Sequence, residues 1–475
     1  MAAASARAIS EVPVEPIGLG RFQEVVSPAA YRHLAHTVVQ ARERFAGRTI
    51  WNVNSTARGG GVAEMLSSLV AYARGAGLDT RWVVIEGQQE FFRVTKRVHN
   101  QIQGYPGDGG ELGEAEHGTY ERALEPAASE LAAAVRPGDV VLLHDPQTAG
   151  LTAEIKRAGA VVVWRCHVGM DSPNEIAVGA WRFLRPYLAD ADAYVFSRST
   201  FAWDGFEHSK VRVIAPSIDP LTPKNSPLSA ARASAILISA GIVEAYSASL
   251  PFYQRPNGSV GMVCDRADML QLEPLRPADR FVTQVSRWDR LKDPVGVLNG
   301  FGEHVPNAHL VLAGPQPGAV DDDPEGAAVL KEVVDAWHAL PEAVRRRVHL
   351  ARLPMRDAEQ NAAIVNALQS NAAVIVQKSL AEGFGLTVAE AMWKGRPVVA
   401  SGIGGIQEQI EDGRSGVLLG DPTDLAAMGR EITRLLAECE RAATMGAAAQ
   451  ERVRRHFLSD RHLRQYAEML SSFVA

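Results

Sequence analysis

The sequence predicts an α/β protein built from two doubly wound domains, and three observations carry that prediction. Twelve short apolar runs rich in β-branched residues recur along the chain, with helix-like stretches between them. The runs are continuous rather than alternating, the pattern of strands covered on both faces of a parallel sheet. At 475 residues the chain exceeds one ordinary core, and the runs divide into two sets of six.

The first set is RTIWNV (48–53), TRWVVIE (80–86), DVVLLHD (139–145), AVVVWRC (160–166), DAYVFS (192–197) and VRVIAPS (211–217). The second is RFVTQVS (280–286), AHLVLAG (308–314), RVHLAR (347–352), AAVIVQ (372–377), RPVVAS (396–401) and GVLLG (416–420). Alternation with helices gives right-handed βαβ units in each half. Between the sets, LTPKNSPLSAARASAILISAG (221–241) opens on turn residues and becomes helical, which puts a hinge near Asp219–Asn225. The expected domains are therefore 1–220 and 221–457, with the C-terminal helix, 458–475, packing back on the first. GYPGDGGELGEAEHG (104–118) reads as an exposed loop. AVDDDPEG (319–326) reads as a solvated acidic loop rather than a metal site.

Composition narrows the class. Hydrophobic residues make up 46% and charged residues 22%, as in a soluble globular protein. With a net charge of -6 and no dense basic stripe, nucleic acid is not expected as the main partner. Cys166, Cys264 and Cys439 lie far apart with no CxxC pair, which argues against a disulfide framework or zinc site and fits a reducing compartment. The N-terminus MAAASARAISEVPVEP lacks the apolar region of a secretory signal. No apolar run approaches the roughly 20 residues that span a bilayer. The expectation is a cytoplasmic protein with no membrane partner.

In open parallel sheets ligands bind beyond the carboxyl ends of the strands. The first-half strands end in Asn54-Ser55, His144-Asp145, His167 and Ser197, and the second-half strands in Arg287, Gly314, Gln377-Lys378 and Ser401. Two sheets facing across a hinge would point both sets into one cleft, a site for a two-part ligand. In WNVNSTARGGGVAEML (51–66) a strand meets Gly59-Gly60-Gly61 and a helix begins at about Val62, so backbone N–H groups and the helix dipole favour an anion. A tight βα turn accounts for these glycines as well. The run is neither GxGxxG nor a Walker loop, which sets a nicotinamide dehydrogenase aside. QVSRWDRLKDP (284–294) offers Arg287, a forked donor, and Lys292, a point charge, as partners for a diphosphate.

AEGFGLTVAE (381–390) follows the strand AAVIVQ. Gly383 and Gly385 would let the N–H groups of Phe384, Gly385 and Leu386 face a ligand, with the Thr387 hydroxyl at the first helical turn. Glu382 and Glu390 flank that anion site without occupying it, and carboxylates accept paired hydrogen bonds from vicinal diols. Taken alone, Glu390 is also the acidic residue that a helix N-terminus favours.

Glu382 and Glu390 form the E-x7-E pattern of retaining glycosyltransferases of family 4. Over nearly the whole chain, NVNSTARGGGVAEML, HDPQTAGL (144–151), WRCHVGMDSPN (164–174), IAPSIDPLTPKN (214–225), QVSRWDRLKDP and AEGFGLTVAEAMWKG (381–395) resemble the trehalose glycosyltransferring synthases. The resemblance implies the GT-B fold, two Rossmann-like domains facing across a cleft, the first on the acceptor side and the second binding the donor. It implies transfer of glucose from a nucleoside diphosphate glucose (ADP- or UDP-glucose) to a monosaccharide acceptor, glucose, giving α,α-trehalose with retention and without a metal cofactor.

By the same resemblance Arg287 and Lys292 neutralise the departing diphosphate, and Gly60 and Gly61 close on it. Glu382 holds the donor glucose hydroxyls, with the amides of Phe384, Gly385 and Leu386 and the side chain of Thr387 nearby. Glu390 holds the ribose, His167 sits by the donor sugar, and Asp145 and Asn174 contact the acceptor. LPMRD (353–357) borders the nucleobase, and a homodimeric state is allowed for. FSRSTFAW (196–203) and residues 104–118 depart from the family pattern, both where the acceptor would bind. The competing readings are a trehalose phosphorylase, a family 4 enzyme with another acceptor, an epimerase and a noncatalytic nucleotide-sugar sensor.

Overall fold

The computed structural model describes residues 7–57, 60–203, 205–247, 249–318 and 325–474. Gly59 and most of the acidic run (319–324) lie outside them, as do residues 1–6. The chain forms two compact units: Met1–Ser217 with Glu382–Phe384 and Ser459–Ala475, and Ile218–Ala381 with Gly385–Leu458. Each contains a seven-stranded sheet.

The strands of the first sheet are β1 (Ile9–Glu11), β2 (Ile50–Asn54), β3 (Thr80–Ile85), β4 (Val140–His144), β5 (Val161–Cys166), β6 (Ala193–Phe196) and β7 (Val211–Val213). Their order is β1-β3-β2-β4-β5-β6-β7. All six strands read from the sequence are present and parallel. The added β1 is a three-residue edge strand running antiparallel to β3, too short to show a period. Side chains alternate between two packed faces, which is why the strands read as unbroken apolar runs. Trp51, Val53, Val141, Leu143, Val162 and Trp164 pack against residues of the helices Gln89–Ile102, Glu114–Ala134 and Glu175–Leu188. Ile50, Val140, Leu142, Val163 and Val195 pack against residues of Pro28–Arg44 and of the C-terminal helix Ser459–Ser471. The glycine-rich loop is shorter than its composition suggests: helix Glu114–Ala134 begins inside it.

Ile218–Ala381 opens with helix Ala230–Ser239, capped by the Ser229 side chain. A hairpin follows, β8 (Phe252–Gln254) and β9 (Val260–Met262), around the turn Pro256-Asn257-Gly258 with Gly258 at φ +86°. The second sheet contains β10 (Asp268–Leu270), β11 (Phe281–Val285), β12 (His309–Pro315), β13 (Val348–Leu353), β14 (Val374–Gln377), β15 (Val398–Ser401) and β16 (Val417–Leu419). Its order is β10-β13-β12-β11-β14-β15-β16, with β10 antiparallel on the edge and the rest parallel. Again all six strands read from the sequence are present, and the three short antiparallel ones are additions.

Strand order reverses beside β2 and β4 in the first sheet and beside β11 and β14 in the second. Such switch points open a crevice at the carboxyl ends of the flanking strands. In the first sheet those ends carry Asn54 and His144-Asp145; in the second they lead to Arg287 and Lys378.

Candidate functional site

In the first unit β4 ends at His144, and Asp145 turns the chain at φ +63° into the one-turn helix Asp145–Thr148. A left-handed non-glycine residue is uncommon, and Asp tolerates it better than most. Three contacts hold the turn: the His167 amide donates to Asp145 Oδ1 (2.7 Å), Trp164 Nε1 to the Asp145 carbonyl (3.0 Å) and Thr148 Oγ1 to the His144 carbonyl (2.8 Å). Burial pushes the Asp145 carboxyl up to about 7, against the pull of the His167 amide and the Arg165 guanidinium. Arg165, wholly buried on β5, donates Nη2 to Ser197 Oγ at 3.3 Å.

His144 and His167 stack at 5.5 Å with 14° between their planes, and His144 Nδ1 meets His167 Nε2 at 3.2 Å. Burial and then Arg165 hold His144 down to about 3, and the same two causes hold His167 well below its ordinary value. Both rings are therefore neutral, each with one N–H. His144 Nε2 faces Asn52 Oδ1 at 3.4 Å, an acceptor, so the proton of His144 belongs on Nε2. His144 Nδ1 then accepts from His167 Nε2, which leaves His167 Nδ1 an acceptor suited to a hydroxyl.

Gly60 is the extended N-cap of helix Gly61–Gly75, at φ -143°, and a Cβ there would meet nothing within 4 Å. Among the described residues, neither conformation nor packing within the unit requires glycine at that position. Asn174 is exposed and caps helix Glu175–Leu188: its Oδ1 accepts from the Ala177 amide (3.0 Å), while its Nδ2 donates to the Gly104 carbonyl (2.9 Å). Both polar ends of Asn174 thus have intramolecular partners. Glu382 and Phe384 group with this unit. A Cβ on Gly383 would lie 2.2 Å from the His167 carbonyl oxygen, so that position accepts only glycine.

In the second unit Arg287 lies half-buried two residues beyond β11, and Lys292 ends the 3₁₀ turn Arg290–Lys292. Gln284 Nε2 donates to the Lys292 carbonyl (3.0 Å), tying that turn to β11. Asp293, left-handed at φ +47°, caps helix Pro294–His304 by accepting from the Gly296 amide (3.0 Å). Its carboxylate pairs with the ammonium of the wholly buried Lys378 at the end of β14. Beyond Lys378 the Leu380 amide donates to the Leu291 carbonyl (2.7 Å), joining the ends of β11 and β14.

Gly385, at φ +82°, starts the eight-residue helix Leu386–Trp393, and its carbonyl accepts from Gln409 Nε2 (3.2 Å). Thr387 Oγ1 donates to Gln377 Oε1 (3.0 Å), so that hydroxyl hydrogen is used in the turn. Glu390 is 2% exposed, with Lys224 Nζ 3.0 Å from Oε1 and Gln369 Nε2 3.5 Å from Oε2. Lys394, one turn on, donates to Asn225 Oδ1 (3.0 Å) and the Glu390 carbonyl (3.2 Å). Burial pulls its ammonium down to about 7, helped by Lys224 and opposed by Glu390.

Arg287, Lys292, Gly385, Leu386, Thr387 and Glu390 all belong to the second unit, on the segments that follow the neighbouring strands β11 and β14. The first unit holds His167, Asp145, Gly60, Gly61, Glu382 and Phe384, and separately Asn174. Sequence reasoning named Lys378 only as a strand-end residue and passed over Lys224, Lys394 and Arg165, although IDPLTPKN and WRCH contain two of these three. Among the described residues no group of three His, Cys, Asp or Glu side chains is placed to hold a metal ion. No described helix is long and apolar enough to cross a membrane.

Two family models match: the N-terminal domain of trehalose synthase over residues 52–203, and glycosyl transferases group 1 over 357–452. A trehalose synthase of Rubrobacter xylanophilus is 36% identical over 449 residues, 93% of this chain and 95% of the relative. The chain belongs to the trehalose synthase family. A second member, the trehalose synthase of Pyrococcus horikoshii, is 33% identical over 442 residues, 92% of each chain. Among solved structures, the UDP-forming α,α-trehalose-phosphate synthase of Burkholderia vietnamiensis superposes with a TM-score of 0.62 at 15% identity, covering 90% of this chain and 98% of its own. This member of the trehalose synthase family is thus a glycosyltransferase with the GT-B fold.

Proposed function

We propose that this glycosyltransferase moves glucose from a nucleoside diphosphate glucose, ADP- or UDP-glucose, to free glucose, giving α,α-trehalose with retention. The observation that supports the reading is that β11 and β14 are neighbours and that the Leu380 amide ties the turn Arg290–Lys292 to the segment leading to helix Leu386–Trp393. The barrier in glycosyl transfer lies in separating an oxocarbenium-like sugar from an anionic leaving group. Fixed cations and peptide dipoles stabilise that departure without reorganising at the moment of reaction. The bond from C1 to the diphosphate oxygen breaks with its electron pair going to the phosphate. The acceptor hydroxyl then bonds C1 from the same face, and its proton passes to a phosphate oxygen.

In this reading Glu382 holds donor-sugar hydroxyls and His167 Nδ1 accepts from one of them. Gly60 and Gly61 approach the diphosphate, Asp145 contacts the acceptor, and Glu390 holds the ribose. Asn174 contacts the acceptor through its second Nδ2 hydrogen or second Oδ1 lone pair, the first of each being held by Gly104 and Ala177. The test incubates the protein with ADP-, UDP- and GDP-glucose against a panel of free sugars and identifies the product by NMR. α,α-Trehalose formed with stoichiometric nucleoside diphosphate is expected. Glucose 1-phosphate from trehalose and inorganic phosphate, with no need for nucleotide, would establish a phosphorylase instead.

A further inference from the structure

Glu390 is a carboxylate buried on a helix whose start is read as an anion site, and its nearest cation comes from Lys224, distant in sequence. That lysine is not a casual surface partner. Its turn is built on Asp219, whose Oδ1 accepts from the Leu221 amide (2.9 Å) and whose carbonyl accepts from Asn225 Nδ2 (3.0 Å). Asn366, on helix Ala358–Asn371, donates from Nδ2 to the Pro223 carbonyl (2.9 Å) and the Ser226 carbonyl (2.8 Å). On the other side Trp393 Nε1 donates to the Asn225 carbonyl (2.9 Å) and Lys394 Nζ to Asn225 Oδ1. Every residue flanking Lys224 is thus pinned to one of two helices, and Pro223 fixes the backbone before it.

Stability alone gives no reason for this arrangement. Replacing a buried ion pair by apolar residues of similar volume is often neutral or stabilising, whereas removing one partner leaves an uncompensated buried charge. A helix from Leu386 to Trp393, otherwise buried through Val388, Ala389, Ala391 and Met392, needs no carboxylate for packing. Lys394 does not duplicate the contact, because its ammonium meets the main-chain carbonyl of Glu390 rather than the carboxylate.

Resting on the ribose reading of Glu390 above, we infer that Lys224 is a positioning residue for the donor nucleotide. It fixes the Glu390 carboxylate as an oriented acceptor for the ribose hydroxyls. Lys224 then sets affinity for the nucleotide through a residue it does not share with the diphosphate.

The test measures, by calorimetry, the affinity of the nucleoside diphosphate and its 2′,3′-dideoxy analogue for the full chain and for Lys224→Met, Lys224→Arg and Glu390→Gln. Lys224→Met is expected to weaken the ribonucleotide about 10- to 100-fold, the scale of one hydrogen bond to a charged acceptor. The dideoxy analogue, lacking the hydroxyls Glu390 would hold, should change by less than about twofold, and its binding shows that the variant is folded. Lys224→Arg should recover most of the loss, and Lys224→Met should add little in a Glu390→Gln background. Equal weakening of both nucleotides, or of neither, overturns the inference. If the unsubstituted protein binds the two nucleotides equally, the ribose assignment falls and this inference with it. Trehalose synthesis from the nucleotide sugar would stand regardless.

Discussion

Asp145→Asn isolates the cost of burying one carboxylate at the end of β4. An ordinary aspartate ionises near 3.8, and burial raises this one to about 7. Between those values the folded state binds more protons than the unfolded state, so stability falls as pH rises. The full penalty is reached once pH exceeds the folded value. Each pH unit between the two values costs about 1.4 kcal/mol, so the penalty is about 4 kcal/mol above pH 7 and almost nothing below about pH 4. Asparagine keeps an Oδ1 for the His167 amide and tolerates the left-handed backbone at φ +63°, so the substitution removes the charge and little else. Unfolding followed through pH 4–8 should show wild-type stability falling by up to that amount relative to the variant's, the titrations of His144 and His167 being common to both. At pH 8 Asp145→Asn should be the more stable protein. If it were the less stable one there, attraction to the His167 amide and Arg165 would outweigh burial, and the reasoning would fail. The same variant should lose turnover if the carboxylate contacts the acceptor.

The other predictions concern the second unit. Arg287→Ala should lower turnover by about 10²–10³, the scale of losing one preorganised donor, and full turnover would remove Arg287 from the diphosphate site. Lys394 falls from 10.5 to about 7, so the folded state binds fewer protons between those values and stability should rise with pH across that window. Lys394→Met should erase that rise in denaturation curves from pH 7 to 10, and an unchanged slope would contradict the burial. A Cβ on Gly446 would lie 2.0 Å from the Gly395 carbonyl oxygen, so Gly446→Ala should destabilise by about 1–3 kcal/mol and lower the thermal midpoint with KM unchanged.

The parallel strands were legible because burial on both faces writes itself as unbroken runs such as VVLLH and VIVQ. The edge strands were not, because three residues such as Ile9–Glu11 or Asp268–Leu270 contain too few positions for any period. The hairpin had a signal in Asn257-Gly258, the commonest short turn pair, although its flanking strands are only three residues each. Strand-end position singled out Arg287 and His167 as candidates, and the glycine-rich turn after AAVIVQ singled out both glutamates. What stayed hidden was pairing across sequence distance. Lys224 and Glu390 are separated in sequence by strands β10 to β14 of the second sheet, and Lys378 meets Asp293 only because β11 and β14 are neighbours. The second contact follows from strand order and the first from helix packing, neither of which local patterns encode.

Those two pairings answer an electrostatic difficulty in the second unit. A site for a diphosphate, as proposed for this unit, should not contain carboxylates, yet Asp293 caps the helix that follows Lys292 and Glu390 lies in the second turn of the helix that follows Gly385. Each is matched by its own lysine, Lys378 for Asp293 and Lys224 for Glu390, so neither contributes an uncompensated negative charge. Arg287, Lys292 and the helix dipoles then set the sign of the field. Asp293 meanwhile caps its helix and shapes the left-handed turn after Lys292, which a neutral residue without a side-chain acceptor would not do. In the proposed reading, lysine pairing lets Asp293 act as a backbone acceptor and Glu390 as a hydroxyl acceptor beside an anion that they would otherwise repel.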